Sequence, residues 1–380
     1  MPYSIAFVGN AAFTMQKFRG EMISFLVQRG HRTFCFAPDY TAETRTAIKA
    51  LGGVPVDFAH ERIGTSVSGA FVSVWDLSRK LREREIDLVF AYFIKPIIVA
   101  SLAACHAGTP KVYSMIEGRG LIFSDDAPFS LKRWILKFVV STALVITLRL
   151  SDRIFVLNKS DLHFARKLVG RKADRVVQIN GIGVDLAYYA PLDEYGAPVR
   201  FVFCGRLLRS KGIFDLVDAA RQLKTQGFKF EITVIGDVDE NQDSVSEAQM
   251  VDWSSQGLVD WPGFQNDTRP FFHRYAVLVL PTYYPEGLPR SIQEALSMAC
   301  PVITTPAPGC GEQIEEGVTG FVVKSHNPDA LMRKMRYFVE HPDDIVVMGD
   351  AARHYALDHF QSDAINRIVF DDIATAGSDS

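Results

Sequence analysis

Residues 200–220 read RFVFCGRLLRSKGIFDLVDAA, an apolar run that ends at a glycine and continues through a cationic loop into a helical pattern. We interpret residues 200–204 as a buried strand and residues 213–226 as the helix that follows it. The same succession of a strand and a longer helical stretch recurs on both sides of this segment. Alternating strands and helices predict right-handed crossovers and parallel sheets, so we expect an α/β protein.

Two series of strands are predicted, separated by a polar stretch at residues 190–198. The first series has strands at residues 4–8, 33–37, 88–92, 111–115 and 153–157, with helices at 17–29 and 75–84. The second has strands at 200–204, 231–235, 277–280 and 302–305, with helices at 213–226, 288–299 and 330–340. They predict two Rossmann-like, doubly wound domains that face each other across a cleft, where the carboxyl ends of the strands bind ligands. We assign residues 1–190 to the first domain, 191–355 to the second, and 356–380 to a C-terminal helix that crosses back.

The net charge of −3 gives no reason to expect nucleic acid as a partner, but the charge is unevenly distributed. Residues 130–175 contain eleven Lys or Arg against three Asp or Glu. Within them, the uncharged apolar run 138–148 is too short for the roughly 20 residues that cross a bilayer. Residues 130–153 therefore form either a buried core helix or a helix that lies in a membrane interface.

The five cysteines are odd in number and scattered, which argues against a disulfide framework or a zinc site and favours a reducing compartment. The first residues, MPYSIAFVGN, resemble a first strand more than a secretory signal. We therefore expect a cytoplasmic location.

Arg206 and Lys211 lie five residues apart in a loop at the carboxyl end of a predicted strand. A guanidinium fork and an ammonium group at this position suit a diphosphate that gains negative charge as it leaves. The alternative is an ordinary solvated turn. Gly9 also ends a strand and precedes a helix, where backbone can approach a ligand, although most such turns simply connect elements.

Residues 286–294 read EGLPRSIQE and follow an apolar strand. We expect a helix to start near Leu288 with Pro289 in its first turn, so that N–H groups near Gly287 and Leu288 bind phosphate oxygens. At about 1.5 Å per residue, Glu294 would lie roughly 12 Å from Glu286. One carboxylate would then reach a sugar hydroxyl and the other a ribose hydroxyl. The alternative is a helix cap followed by a buried, paired glutamate.

Together with residues 301–305 (PVITT), these motifs resemble family 4 of the retaining glycosyltransferases, which have the GT-B fold. The similarity covers nearly the whole chain. The stretches IKP at 94–96, EGRG at 117–120, VLN at 156–158 and NGIGVD at 180–185 are similar to the PglA-like branch of bacterial lipid-linked glycan glycosyltransferases. Members of that branch extend a saccharide on a polyprenyl diphosphate at the cytoplasmic membrane face.

The resemblance implies roles for individual residues. Arg206 and Lys211 would hold the diphosphate, Glu286 the donor sugar and Glu294 the ribose. The residues expected to bind the nucleotide sugar are Gly9, Arg206, Lys211, Gly236, Phe264, Glu286, Gly287, Leu288, Pro289 and Glu294. Those expected to act in catalysis are Glu286, Arg206, Lys211, Glu117 and Lys95. Many family members also place a histidine in the first-domain cleft, but residues 92–95 (YFIK) contain none.

The function implied is retaining transfer of an N-acetylhexosamine or hexose from a UDP-sugar to a polyprenyl diphosphate-linked saccharide. It would serve bacterial glycan, O-antigen, capsule or exopolysaccharide assembly, with the enzyme peripheral on the inner face of the cytoplasmic membrane and residues 130–153 on anionic lipid. No cofactor besides the donor is expected. No metal is expected either, because the Asp-Val-Asp at 237–239 is interpreted as a loop. The alternatives are a GT-B UDP-sugar 2-epimerase and a non-catalytic protein that binds nucleotide sugars.

Overall fold

The structure is a computed structural model that describes residues 2–59, 67–120, 123, 130–192, 198–239 and 243–374. The described chain divides into two compact units. One unit comprises the residues up to Ile182 together with those from Ser362 on, and the other is Gly183–Gln361. Residues 193–197 of the predicted linker lie outside the described residues, as do residues 375–380.

In the first unit, the described strands form one parallel sheet in the order β3-β2-β1-β4-β5-β6-β7. The strands are β1 (Ser4–Val8), β2 (Arg32–Ala37), β3 (Val54–Asp57), β4 (Leu88–Tyr92), β5 (Lys111–Ile116), β6 (Arg153–Val156) and β7 (Val176–Gln178). The helices between them are α1 (Ala12–Gln28), α2 (Ala42–Ala50), α3 (Val67–Glu83), α4 (Ile94–Ala107), α5 (Leu131–Leu150) and α6 (Lys159–Val169). Central strands β1 and β4 are buried along their whole length, as expected of a sheet covered on both faces.

The second unit repeats this architecture, with a parallel sheet in the order β10-β9-β8-β11-β12-β13. Its strands are β8 (Arg200–Cys204), β9 (Glu231–Ile235), β10 (Asp260–Gly263), β11 (Ala276–Leu280), β12 (Val302–Thr304) and β13 (Gly320–Val322). Its helices are α7 (Ile213–Thr225), α8 (Glu247–Ser255), α9 (Arg290–Ser297), α10 (Pro328–Glu340) and α11 (Pro342–His359). The two parallel sheets confirm the predicted α/β class with two Rossmann-like units.

The strand order reverses direction once in each sheet. In the first unit β1 lies between β2 and β4, and in the second β8 lies between β9 and β11. Open parallel sheets bind ligands outside the carboxyl ends of the strands at such a reversal. Gly9 follows β1, and Gly205 follows β8. The candidate residues therefore lie where this fold accepts a ligand.

The chain returns to the first unit through α12 (Ser362–Val369) and α13 (Asp371–Ala374). Helix α12 contacts α1, and the ring of Phe370 lies 6.3 Å from that of Phe7 and 5.6 Å from that of Phe90. The Asp372 carboxylate pairs with Lys111 at 2.8 Å. These last residues therefore complete the core of the unit that the first residues began.

The predicted helix starts were wrong in two places in the first unit. Helix α1 begins at Ala12 instead of residue 17, and α3 is already helical at Val67 instead of residue 75. Ala11 before α1 provides no side-chain cap. The Asp39 carboxylate, from beyond β2, instead accepts the Ala12 N–H at 2.6 Å. A cap supplied from a distant loop leaves no local sequence signal.

Helix α5 is partly buried and partly exposed, so it is not wholly a buried core helix, and its contact with a membrane interface stays a prediction. Leu144 and Leu148 are fully buried, whereas Trp134 is 57% and Phe138 63% exposed. The exposed rings stack on each other with their centres 6.2 Å apart. No helix in the part of the chain that the structure describes is long and apolar enough to cross a membrane.

Candidate active site

The loop after β8 carries the two predicted diphosphate-binding cations. Arg206 is exposed, and Lys211 is nearly buried at the end of a single 3-10 turn, Arg209–Lys211. Gly212 then starts α7 from the left-handed region, with φ +80°. A Cβ at Gly212 would overlap the carbonyl oxygen of Pro281. Glycine therefore lets the loop after β8 touch the loop after β11.

The Ser210 carbonyl oxygen ties these two loops together. It accepts the N–H groups of Tyr283 at 2.9 Å and Tyr284 at 3.1 Å, and the Thr282 hydroxyl at 3.1 Å. On the other side, the Ser210 N–H donates to the Asp243 carboxylate at 3.0 Å. The backbone next to Lys211 is thus held by several hydrogen bonds, which fixes the position from which the lysine side chain extends.

Lys211 and Glu286 form an ion pair, and both side chains are largely shielded from water. The Tyr284 ring lies beside both cations, its centre 5.6 Å from Lys211 Nζ and 5.9 Å from Arg206 Cζ. The structure therefore brings Arg206, Lys211 and Glu286 together at the carboxyl ends of β8 and β11. These groups are the ones that the sequence assigned to the diphosphate and the donor sugar.

The expected start of the helix after Glu286 was wrong. Helix α9 begins at Arg290, and Pro289 precedes it with ψ 120°, which is an extended conformation. The first helical N–H groups are consequently those of Arg290 and Ser291, not those near Gly287 and Leu288. Their use in binding a phosphate remains a prediction.

Glu294 lies on the buried side of α9 and is held by three side chains. Its Oε1 accepts the Tyr189 hydroxyl at 2.8 Å and the Arg290 Nε–H at 3.0 Å, and its Oε2 lies 3.4 Å from the Thr268 hydroxyl. Glu294 was predicted from the sequence, but its partners Tyr189 and Thr268 were not, because they are 105 and 26 residues away.

Gly309, in the loop after β12, touches the backbone of the Glu286 loop. Its φ is +79°, and a Cβ there would overlap the Gly287 carbonyl oxygen and approach that of Glu286.

We predict that Gly309→Ala displaces the Glu286 loop, lowering turnover at least tenfold and costing about 2 kcal/mol of stability. Gly317→Ala is the matched control, since Gly317 has φ +74° and a Cβ there would meet nothing within 4 Å. Turnover and the free energy of unfolding in urea are measured for both variants. If both quantities fell equally in Gly309→Ala and Gly317→Ala, backbone strain alone would explain the loss, and the contact with the Glu286 loop would not contribute.

The carboxyl ends of β8, β9 and β10 lie close together. A Cβ at Gly236 would overlap the Gly205 carbonyl oxygen, and the Gly236 N–H donates to the Gly263 carbonyl at 3.1 Å. Phe264, the next residue, is 46% exposed, and its N–H donates to Asp237 Oδ1 at 3.0 Å. An exposed aromatic ring held at this edge is a suitable surface for a nucleobase.

The Asp-Val-Asp stretch after β9 is occupied by interactions within the loops. Asp237 accepts the Phe264 N–H, and Asp239 pairs with Arg206 at 3.5 Å. Among the residues that the structure describes, no group of three or more His, Cys, Asp and Glu could hold a metal ion.

In the first unit, Gly9 and Lys95 lie at the ends of the adjacent strands β1 and β4. A Cβ at Gly9 would overlap the Tyr92 hydroxyl, so the glycine makes room for that tyrosine. Lys95 is in the first turn of α4, two residues after Phe93, whose φ of +66° is unusual for a bulky residue. Strained backbone of this kind concentrates at functional sites, which supports a role for this strand end.

Glu117, the residue that follows β5, forms an ion pair with the fully buried Arg19 of α1. The Arg19 guanidinium also lies 4.1 Å from the centre of the Tyr92 ring. Glu117 was predicted from the sequence as a site residue, but its partner Arg19 was not. Its signal was present, however, because Arg19 is on the helical stripe formed by Met15, Met22 and Ile23.

The other charged residue of this motif, Arg119, has a structural partner. Its Nε–H faces the buried Asp161 at 3.0 Å, and it also donates to the Ser160 hydroxyl at 2.7 Å. Burial raises the pKa of Asp161 to about 6, an effect that the Arg119 charge opposes. Arg119 therefore fixes the loop that carries Glu117 to the start of α6.

Comparison with known sequences relates the second unit to a family. Residues 190–355 match the family of Glycosyl transferases group 1. The chain is 27% identical over 222 residues to the putative colanic acid biosynthesis glycosyltransferase WcaL of Salmonella typhimurium, covering 55% of this chain and 53% of that protein. It is 26% identical over 163 residues to the capsular polysaccharide biosynthesis glycosyltransferase CapM of Staphylococcus aureus, covering 43% and 42%. The chain thus spans about half the length of the curated relatives it matches.

Solved structures resemble the whole chain. Anabaena Alr3699/HepE in complex with UDP and glucose has a TM-score of 0.76 at 18% identity, covering 98% of this chain and all of that one. Sucrose-phosphate synthase from Thermosynechococcus elongatus has a TM-score of 0.77 at 16% identity and full coverage of both chains. These similarities confirm the predicted GT-B fold class.

Proposed function

We propose that this protein is a retaining glycosyltransferase that moves a sugar from a UDP-sugar to a polyprenyl diphosphate-linked saccharide in bacterial surface-polysaccharide assembly. The observation that carries the proposal is the ion pair of Lys211 with Glu286 beside Arg206, at the strand-order reversal of the second unit. A scaffold that only bound other proteins would not need a cation and a carboxylate fixed together and shielded from water at that place.

The reaction needs positive charge where the diphosphate leaves. The bond between the anomeric carbon and the UDP oxygen breaks, and the acceptor oxygen bonds to the same face of the sugar. The acceptor proton passes to the departing phosphate oxygen, so no protein base is required. Arg206 and Lys211 stabilise the charge that develops on the diphosphate, and Glu286 accepts hydrogen bonds from the donor sugar. We assign no covalent role to Glu286, because its carboxylate is engaged by Lys211.

The nucleoside part of the donor is assigned to the neighbouring residues. Glu294 binds the ribose, and the exposed Phe264 ring beside Gly236 contacts the base. The structure of Anabaena HepE with UDP supports UDP as the nucleotide. The donor is a substrate, and the proposed reaction uses no further cofactor.

The assignment to surface-polysaccharide assembly is supported by the relatives, which are named for colanic acid, capsular polysaccharide and amylovoran biosynthesis. Within the first unit, we assign contacts with the acceptor to Lys95 and Glu117. The enzyme would work on the inner face of the cytoplasmic membrane, where lipid-linked saccharides of this kind are assembled.

Nucleotide release tests the proposal. Purified protein is incubated with a panel of UDP- and GDP-sugars, with and without a bacterial lipid-linked oligosaccharide fraction. We expect UDP release from one donor only when the lipid fraction is present. A UDP-sugar converted to its epimer without an acceptor would show a 2-epimerase instead. Binding of UDP-sugars with no turnover in any lipid fraction would show a non-catalytic protein.

We also propose that α5 binds an anionic membrane surface. Its exposed apolar side chains are Leu131, Trp134, Ile135, Phe138, Val139, Ile146 and Leu150. Basic residues Arg133, Lys137 and Arg149 lie on the same helix, in the segment whose charge is strongly positive. Exposed aromatic rings flanked by cations are typical of helices that lie in the interface of an anionic bilayer.

A second helix of the first unit also carries exposed aromatic rings. Phe71 is 73% and Trp75 64% exposed on α3. Helix α4 contacts both α3 and α5, so the three helices lie side by side. Both α3 and α5 begin near the carboxyl edge of their sheet, because each leads into a strand that runs back toward it. The rings of Phe71, Trp134 and Phe138 are in the first halves of these helices and are therefore near the edge that carries Lys95 and Glu117, whereas Trp75 is at the middle of α3.

Co-sedimentation with vesicles measures this binding. We predict that the Trp134→Ser/Phe138→Ser variant loses at least roughly 100-fold in affinity for phosphatidylglycerol vesicles, since each of the two rings contributes about 1.5–3 kcal/mol when buried. The matched control is Val251→Ser/Val347→Ser, which removes two exposed apolar side chains of the second unit. Equal binding to anionic and neutral phosphatidylcholine vesicles would contradict the role of charge, and unchanged binding of the double serine variant would contradict the role of α5.

A further inference from the structure

Tyr189 belongs to the segment that leads from the unit boundary into the second unit, 105 residues before Glu294. Its hydroxyl nevertheless donates to Glu294 Oε1 at 2.8 Å. Arg290 donates to the same oxygen at 3.0 Å. Two donors on Oε1 fix the plane of the carboxylate. The other oxygen, Oε2, lies 3.4 Å from the Thr268 hydroxyl and has the lone-pair capacity to accept a further hydrogen bond.

The backbone on both sides of this hydrogen bond is held by one residue, Arg353 of α11. Its guanidinium donates to the carbonyl oxygens of Tyr189 at 2.9 Å, Leu186 at 3.0 Å and Ser297 at 2.7 Å. Ser297 is the last residue of α9, the helix that carries Glu294. A planar guanidinium with several donors can bridge these three oxygens, whereas an ammonium group cannot span them in the same way.

The segment before Tyr189 is also fixed locally. The Asp185 carboxylate accepts the N–H groups of Ala187 at 2.9 Å and Tyr188 at 3.0 Å, and its carbonyl oxygen accepts the Tyr189 N–H at 2.9 Å. Arg269 lies over the Tyr188 ring at 3.6 Å. These hydrogen bonds fix the direction of the Tyr189 side chain. A segment that only connected two units would not require such a fixed turn.

We propose that Tyr189 is a positioning residue of the donor site: its hydroxyl orients Glu294 for the ribose of the nucleotide, and Arg353 holds Tyr189 and α9 in register. This inference rests on the proposed function, because Glu294 has a ribose to bind only if the ligand is a nucleotide. Tyr189 itself touches neither the donor nor the reacting atoms. Its effect is transmitted through the Glu294 carboxylate.

Calorimetric binding of two ligands, UDP and inorganic pyrophosphate, separates positioning from general damage. Only UDP carries a ribose. The Tyr189→Phe variant is expected to bind UDP about five- to tenfold more weakly than the wild-type protein, because it lacks one hydrogen bond that orients a charged group. Pyrophosphate binding is expected to be unchanged. Tyr188→Phe is the matched control, because it removes a neighbouring hydroxyl and keeps the ring over which Arg269 lies. It is expected to bind both ligands like the wild-type protein.

Two further variants complete the test. Tyr189→Phe/Glu294→Gln is expected to bind UDP no more weakly than Glu294→Gln alone, because the tyrosine acts through that carboxylate. Arg353→Lys is expected to lose the same affinity for UDP as Tyr189→Phe and to bind pyrophosphate like the wild-type protein. Wild-type UDP affinity in Tyr189→Phe, or equal losses for UDP and pyrophosphate, would overturn the positioning role while leaving the proposed function intact. No UDP binding by the wild-type protein would instead overturn the proposed function, and this inference with it.

Discussion

Lys211→Ala is expected to lower the rate of sugar transfer about 1000-fold, the largest effect that we predict for a single side chain. The ammonium group of Lys211 is fixed against Glu286 and next to the Tyr284 ring, where few water molecules can replace it. Removing a charge aimed at a leaving group typically costs two to three orders of magnitude in turnover. The substitution also leaves the Glu286 carboxylate without its cation, which adds to the loss.

The loss is expected mainly in kcat, because charge accumulates on the diphosphate as its bond to the sugar breaks. Initial rates of lipid-dependent UDP release over a range of donor concentrations measure this division. Lys229→Ala is the matched control, since Lys229 is in the loop that precedes β9, at the opposite edge of the same sheet. A Lys211→Ala enzyme within threefold of the wild-type kcat would contradict the assignment of this loop to the diphosphate.

Arg19→Met is expected to cost about 3 kcal/mol of stability, the largest structural effect. Arg19 is fully buried, paired with Glu117 and stacked near Tyr92. Methionine keeps much of the volume but leaves the Glu117 carboxylate in a poorly hydrated place without this cation, and breaking a buried pair in this way is strongly destabilising. Urea unfolding gives the change directly.

The paired substitution Arg19→Met/Glu117→Gln is expected to recover part of that loss, because it removes the unpaired charge. Lys49→Met, on the exposed face of α2, controls for the general effect of replacing a helical cation. If Arg19→Met proved as stable as Lys49→Met, the ion pair with Glu117 would not contribute to the stability of the fold.

The sequence was sufficient to predict the centres of both sheets but not their edges. All nine predicted strands occur within one residue of their expected bounds at each end. The four strands that were not predicted, β3, β7, β10 and β13, are the edge strands of the two sheets. They are three or four residues long and mostly only partly buried, and two contain proline, so they lack the continuous apolar run by which a buried strand is recognised.

The candidate site divides in a similar way. Arg206, Lys211, Glu286 and Glu294 could be named from their residue types and their places at strand ends and helix starts. Their partners could not, because Tyr189 reaches Glu294 across 105 residues and Arg19 meets Glu117 across 98. Periodicity identifies which face of a helix is buried, but it does not say which distant loop supplies the group that a buried charge requires.

The return of α12 to the first unit has a consequence for the order in which the protein matures on the ribosome. The second unit is one continuous stretch, Gly183–Gln361, and every residue of it is synthesised before α12. The first unit still lacks Phe370 against Phe7 and Phe90, and the Asp372 pair with Lys111, at that moment. Nascent chains usually fold their N-terminal domain first. Here the unit whose strands are translated earlier is completed later, once α12, Phe370 and α13 have left the ribosome.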